Sequence, residues 1–213
     1  MNKIILLLAI CIFFNTMVFA QDYRPATREL QKELTQKIAA ASQQMKTLHC
    51  DFVQKTTISI LADEMVSEGK LHFKQDDKLC WEYLKPYRYR FILNGNKVMI
   101  NSENKKDIID VNNSRLFKEI SKLIISGING SGIFEEDKFT AKFNVGTHDY
   151  QVVLTPKQRE LRQLFSSVTL TFNKTDYTVN TVEIRELGGD TTFITMKNKQ
   201  INIEIDDAIF DIR

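Results

Sequence analysis

Histidine, cysteine and proline are scarce in this chain, three of each among 213 residues. His49, His72 and His148 lie far apart, and none has a neighbour at metal-ligand spacing. Neither H-E-x-x-H nor C-x-x-C occurs, so the sequence offers no zinc or redox motif. A phosphate-binding glycine loop is absent too. The stretch around Ser131, Asn-Gly-Ser-Gly, lacks the leading glycine of G-x-S-x-G and precedes no helix. The acidic doublets Asp76-Asp77, Glu135-Glu136 and Asp206-Asp207 read as turns and solvated ends. There is no internal repeat, no low-complexity tract and no linker. No cofactor, no metal and no enzymatic site is therefore expected.

The first twenty residues stand apart. Lys3 supplies a positive start, Ile4 to Phe14 a short apolar run, and Val18-Phe19-Ala20 a small-residue cleavage site. Asn15 and Thr16 interrupt the run well short of the roughly 20 residues that a membrane span needs. A signal peptide cleaved after Ala20 is expected, with the mature protein exported. A lipid anchor on Cys11 fits less well, because bulky Ile10 precedes it. Removing Lys3 from the 29 basic residues leaves 28 against 27 acidic ones. That near-neutral balance carries no footprint for nucleic acid. The remaining length suits one domain, residues 21–213, with a sizeable core.

Leu30, Leu34, Ile38, Ala41, Met45 and Leu48 step by three or four and predict a helix over Ala26 to Thr47. Leu116, Phe117, Ile120, Leu123 and Ile124 predict a second over Ser114 to Ser126, capped by Gly127. Almost everything else alternates with period two. Around Trp81, rings occupy every second position: Trp81, Tyr83, Tyr87, Tyr89 and Phe91. Asn94-Gly95 signals a tight hairpin. With those two residues as the loop, Phe91 faces Val98 and Tyr89 faces Ile100. Further strands are expected near 139–145, 150–155, 166–173, 181–187, 191–197 and 201–205. The fold class is α+β: about ten antiparallel strands carrying two amphipathic helices. His72 alternates with Lys70 and Lys74, so it is placed in solvent. Cys50 shares the parity of Phe52, and Cys80 that of Lys78 and Glu82. The two thiols should face opposite sides of the sheet and stay unbridged.

About ten strands at roughly 4.8 Å spacing span roughly 50 Å when flat, whereas a helix is about 10–12 Å across. Two helices cannot cover such a face. The sheet must curl, and a curled sheet can keep a cavity. Trp81, Tyr83, Tyr89, Phe91 and their neighbours would wall it, and an acyl chain or another greasy ligand would suit it.

Several stretches occur together in order: Phe52-x-Gln54, Glu68-Gly69-x-Leu71-x-Phe73, Leu79-x-Trp81-Glu82-Tyr83-x-x-Pro86, Asn94-Gly95, Leu154-Thr155-Pro156 and the closing Ile-Phe-Asp-Ile-Arg with Phe210. This series, across nearly the whole mature chain, resembles the LolA family of periplasmic lipoprotein carriers. The resemblance implies a half-barrel antiparallel sheet with helices as a lid. It also implies a cavity for acyl chains, formed by Phe52, Leu71, Phe73, Leu79, Trp81, Tyr83, Tyr89, Phe91, Val98 and Ile100. Leu116, Phe117, Ile120, Leu123 and Ile124 would form the lid. The implied partners are an acylated lipoprotein as cargo, an inner-membrane lipoprotein-releasing transporter and an outer-membrane acceptor, with the protein itself a monomer. Gln75 stands where the family's lid-latching Arg would be, which leaves the latch to another residue such as Arg88 or Arg90. The chain ends at Arg213, without the C-terminal extension of some carriers. The lack of a convincing lipobox favours the carrier over the lipid-anchored receptor LolB. Other readings remain open: a carrier of another lipid or glycolipid, a lipoprotein-sensing module, and a hydrolase with a dispersed site.

Overall fold

Thr27 starts the first helix: its hydroxyl accepts the Leu30 N–H at 3.3 Å, and Glu29 sits in the first turn, where the helix dipole favours it. The helix, α1, runs Arg28–Gln44 and buries Leu34 and Ile38. It ends three residues before the predicted Thr47. The cause is a competing set of hydrogen bonds. Asn202 Oδ1 accepts from Lys46 N at 2.7 Å, and the Thr47 hydroxyl donates to the Ile203 carbonyl at 2.6 Å. These draw the chain into the sheet, so Leu48 is buried from a strand rather than from the helix.

This computed structural model describes residues 23–61, 63–102, 105–111, 124–128, 130 and 137–212. Its strands are β1 (Arg24–Pro25), β2 (Thr47–Ile58), β3 (Asp63–Lys74), β4 (Lys78–Lys85), β5 (Tyr89–Asn94), β6 (Lys97–Ser102), β7 (Lys105–Asp110), β8 (Phe139–Val145), β9 (Asp149–Pro156), β10 (Ser167–Asn173), β11 (Val179–Arg185) and β12 (Thr191–Ile201). A single turn of helix, Arg159–Arg162, joins β9 to β10. All twelve strands form one open antiparallel sheet in the order β1-β8-β9-β10-β11-β12-β2-β3-β4-β5-β6-β7. Sequence periodicity gave about ten. It missed two-residue β1 and the charged edge strand β7.

The sheet is strongly curved. Phe143 of β8 and Val98 of β6 belong to the same buried cluster as Leu34 and Ile38 of α1. Nine strand steps separate β8 from β6, roughly 43 Å if flat. Only a sheet rolled around the helix brings both to one core.

The β5–β6 hairpin differs from expectation in register. Asn94 pairs with Lys97, Leu93 with Val98 and Phe91 with Ile100. The loop is Gly95-Asn96, with Gly95 at φ +56°, the residue that a type II′ turn wants first. Asn94 stays in the strand because its side chain donates to the Phe210 carbonyl at 3.0 Å. The shift is two residues, so every side chain keeps its predicted face.

The last segment also departs from expectation. No separate strand forms at 201–205; β12 continues to Ile201 through a bulge between Lys197 and Gln200. The chain then crosses to the convex face, where the 3-10 turn Asp207–Phe210 seals a second small core. Phe210 and Ile205 cover Cys80, Ile92 and Met99, which are register neighbours on β4, β5 and β6. In the same row His49 pairs with His72, their Nδ1 atoms 3.3 Å apart. His72 is thus half-buried rather than solvated. Burial first, and the nearby His49 second, lower its pKa to about 4. Cys50 lies in the inner core and Cys80 in the outer one, both as free thiols, as the alternation requires.

Lys74 and Lys78 both reach Asp207 at 2.9 Å, but exposed ion pairs contribute little. Burial of the Phe210 ring dominates. Phe210→Ala should lower unfolding free energy by about 3–5 kcal/mol and speed alkylation of Cys80, while Cys50 stays protected. Unchanged Cys80 labelling in the folded variant would show that the segment does not seal this face.

Candidate apolar ligand cavity

Strand alternation puts Val168 and Leu170 of β10, Val182 and Ile184 of β11, and Ile194 and Met196 of β12 on the concave face. Leu154 of β9, Phe139 of β8, and Leu164 and Phe165 join them. Residues 124–128 are helical and close over this part of the sheet with Ile124, Ser126, Gly127 and Ile128. Between helix and strands lies a cavity of about 400 Å³. Trp81 reaches it from β4, and exposed Glu186 stands at its solvent side. Ser126, Glu186 and the Trp81 ring nitrogen are the only polar side-chain groups among its lining residues.

Two of the expected site residues are in this wall: Trp81 and Ile124. Phe52, Leu71, Phe73, Leu79 and Val98 are at most 2% exposed and pack in the filled core with α1. Tyr83, Phe91 and Ile100 are half-buried against that core, Tyr89 is half-buried beside Tyr83, and none of the four lines the cavity. Leu116, Phe117, Ile120 and Leu123 lie outside the described residues. The helix that Ile124 belongs to runs through Gly127 to residue 128. The left-handed residue after it is Gly130, φ +78°, whose N–H returns to the Ser126 carbonyl at 2.8 Å. Gly127 is therefore not the cap.

The aromatic run forms the boundary between filled core and cavity. Phe52 lies 5.1 Å from Trp81 at 60° and 5.1 Å from Tyr83 at 81°, and Tyr83 lies 5.7 Å from Tyr89. Tilted and edge-on ring pairs of this kind contribute beyond their buried area. Gly69, the cross-strand partner of Phe52, makes the arrangement possible. A Cβ there would sit 2.0 Å from the Glu82 carbonyl oxygen and 2.6 Å from Phe52 Cζ. The Tyr83 hydroxyl donates to Gln54 Oε1 at 2.8 Å, and Gln54 donates onward to Thr56 at 3.2 Å. Burial, then Tyr89 beside it, pushes the Tyr83 phenol up to about 12. The Trp81 Nε1–H is buried and has no hydrogen-bond partner.

Beyond Tyr83 a polar groove is lined by Glu82, Arg88, Tyr89, Arg90, Asn101 and Ser102. Arg90 is held by Glu82 at 2.7 Å. Gln75 donates to the Gln43 carbonyl at 3.2 Å, so it ties the β3–β4 turn to the end of α1. Burial raises the thiols of Cys50 to about 12 and of Cys80 to about 11, which keeps them neutral and poor nucleophiles. Among the described residues no three His, Cys, Asp or Glu side chains could share a metal. What the wall offers is transfer of apolar surface out of water.

The profile of a known family, "Outer membrane lipoprotein carrier protein LolA", matches residues 43–213. The chain belongs to the LolA family. It is similar to the outer-membrane lipoprotein carrier protein of Methylococcus capsulatus, 26% identical over 170 residues, covering 78% of this chain and 76% of that one. The carrier protein of Chromohalobacter salexigens is 23% identical over 186 residues, 87% and 85% of the two chains. Among solved structures, an uncharacterized conserved protein from Thermus thermophilus shares the fold at a TM-score of 0.51 and 8% identity, covering 84% of this chain and 92% of that chain. The LolA profile begins within α1, so it takes in the rolled sheet, the aromatic run and the cavity wall together.

Because Phe52 crosses directly over Gly69, Gly69→Ala should cost about 1–3 kcal/mol and alter the emission of Trp81. Gly188, with open space around its Cβ position, is the control, and Gly188→Ala should change little. Equal urea midpoints for the two variants would mean that the crossing tolerates a Cβ.

Proposed function

We propose that this protein is a periplasmic carrier that takes the acyl chains of lipoproteins into the cavity and shuttles them from the inner to the outer membrane. The observation that carries the reading is the wall itself. It is built from Val168, Leu170, Val182, Ile184, Ile194 and Met196, with Ser126, Glu186 and the Trp81 ring nitrogen as the only polar side-chain groups among the lining residues. A volume of about 400 Å³ falls in the usual range for small-molecule sites. Each methylene moved from water into such a wall contributes about 0.8 kcal/mol, so a few carbons suffice for useful affinity. The same arithmetic makes release depend on a better acceptor or on movement of the cover.

In this reading residues 21–213 act as one lipid-binding unit, exported by the leader and cleaved after Ala20. Leu116, Phe117, Ile120, Leu123 and Ile124 form the movable cover. An inner-membrane transporter loads the cargo and an outer-membrane acceptor receives it. Among the described residues no helix is long and apolar enough to cross a membrane, in keeping with a carrier that travels.

Ile184 is half-buried in the wall, so it can be changed without emptying the core. Ile184→Asp should weaken binding of a fluorescent fatty acid at least tenfold, about 1.4 kcal/mol, with little loss of stability. Undiminished probe binding by the folded variant would move the ligand away from this cavity.

A further inference from the structure

Among the described residues, Trp81 Nε1 is the one buried side-chain nitrogen or oxygen without a hydrogen-bond partner. Buried polar groups are nearly always satisfied, so an orphan calls for a reason. Water does not supply one, since the atom is sealed from solvent. Neighbouring polar tips do not either: the Tyr83 hydroxyl and the Gln54 amide bond to each other and to Thr56, and neither accepts from Nε1. Phe52, packed against the indole at 5.1 Å, offers only a ring. Yet Trp81 lines the cavity, and the next two residues of β4, Glu82 and Tyr83, line the polar groove. Phenylalanine would fill that place without the burden of a donor.

We propose that Trp81 Nε1–H is the polar anchor of the site and donates a hydrogen bond to a carbonyl oxygen that arrives with the occupant, the ester or amide carbonyl that joins an acyl chain to its head. This rests on the reading of the cavity as an acyl-chain site and narrows it. The preferred ligand is acylated, with its carbonyl at the level of Trp81 and its chain against Leu170, Val182 and Ile194. A plain hydrocarbon leaves the donor unsatisfied, and an ether lipid of equal length has no carbonyl oxygen projecting from the chain to meet it. Indole N–H is a donor only, so the selection runs toward acceptors and against groups without a free lone pair, such as an ammonium. Since the atom is sealed in the empty form, the covering side chains must yield as the ligand enters. A donor that gains a partner only then favours the loaded state.

The test compares an ester with an ether. Monooleoylglycerol and its 1-O-oleyl ether analogue would displace a fluorescent fatty acid from the mature protein, from Trp81→Phe, and from protein carrying β-(3-benzothienyl)alanine at position 81, where sulfur replaces the N–H. The native protein should bind the ester about tenfold more tightly than the ether. Both replacements should bind the two alike. Trp81 is the only tryptophan, so its emission should shift to longer wavelength with the ester and not with the ether. Equal affinities and equal emission in the native protein would overturn the proposal, as would an ester preference that survives loss of the N–H. Binding of both lipids with no preference retires the anchor and leaves the acyl cavity standing. If neither lipid displaces the probe, the cavity reading fails and the anchor fails with it. Should Trp81→Phe not fold, the benzothienyl protein and the native emission decide.

Discussion

The controlling constraint is a mismatch of areas. A twelve-stranded antiparallel sheet presents a concave apolar face far wider than one helix, and α1 is the only helix of more than two turns among the described residues. An exposed apolar face of that size is not tolerated in a soluble chain. Rolling the sheet around Leu34 and Ile38 solves most of the problem, and it brings β8 and β6 to a shared core. It does not solve all of it. Part of the concave face over β9 to β12 is left unfilled, and among the described residues 124–128 close over it. The cavity is what remains of the mismatch.

The convex face carries the same problem on a smaller scale and meets it differently. Cys80, Ile92 and Met99 form an apolar row between charged rows, too narrow for a helix. The segment 202–212 with its 3-10 turn and Phe210 suffices. Asn94 and Asn202 pin that stretch, and the same two contacts account for where the helix α1 stops and why the hairpin turns at Gly95. Local features that deviate from sequence expectation thus share one cause, a C-terminal segment folded back over the sheet.

The face of each strand was legible from alternation alone, because a register error of two residues leaves the parity intact. Cys50 and Cys80 fell on opposite sides as expected, and the rings of β4 and β5 fell together on one face. The location of the cavity was not legible in the same way. Trp81, Tyr83, Tyr89 and Phe91 are the most conspicuous residues in the sequence, yet large rings fill space well. They therefore mark mainly the closed part of the interior, with Trp81 at its border. The open part is lined by smaller aliphatic residues such as Val168, Val182 and Ile184, which look like any strand core. The clue was the count of strands in the second half of the chain, which periodicity gave correctly from Phe139 to Met196, set against the absence of a helix signal there. His72 was misjudged because alternation tells the face of a strand and not whether another segment shelters that face. The family, by contrast, was readable from the ordered motifs, since these are residues of the filled core and its turns.

The central claim is that this curled sheet holds the acyl chains of a lipoprotein. It is tested most directly by isolating the mature protein from its native host without detergent and identifying the bound molecules by native and denaturing mass spectrometry. The account predicts N-terminally acylated proteins or peptides, bound one per protein and lost in the Ile184→Asp variant. Recovery of only phospholipid or glycolipid in that stoichiometry, or of protein that is uniformly empty while lipoproteins reach the outer membrane normally in its absence, would contradict it.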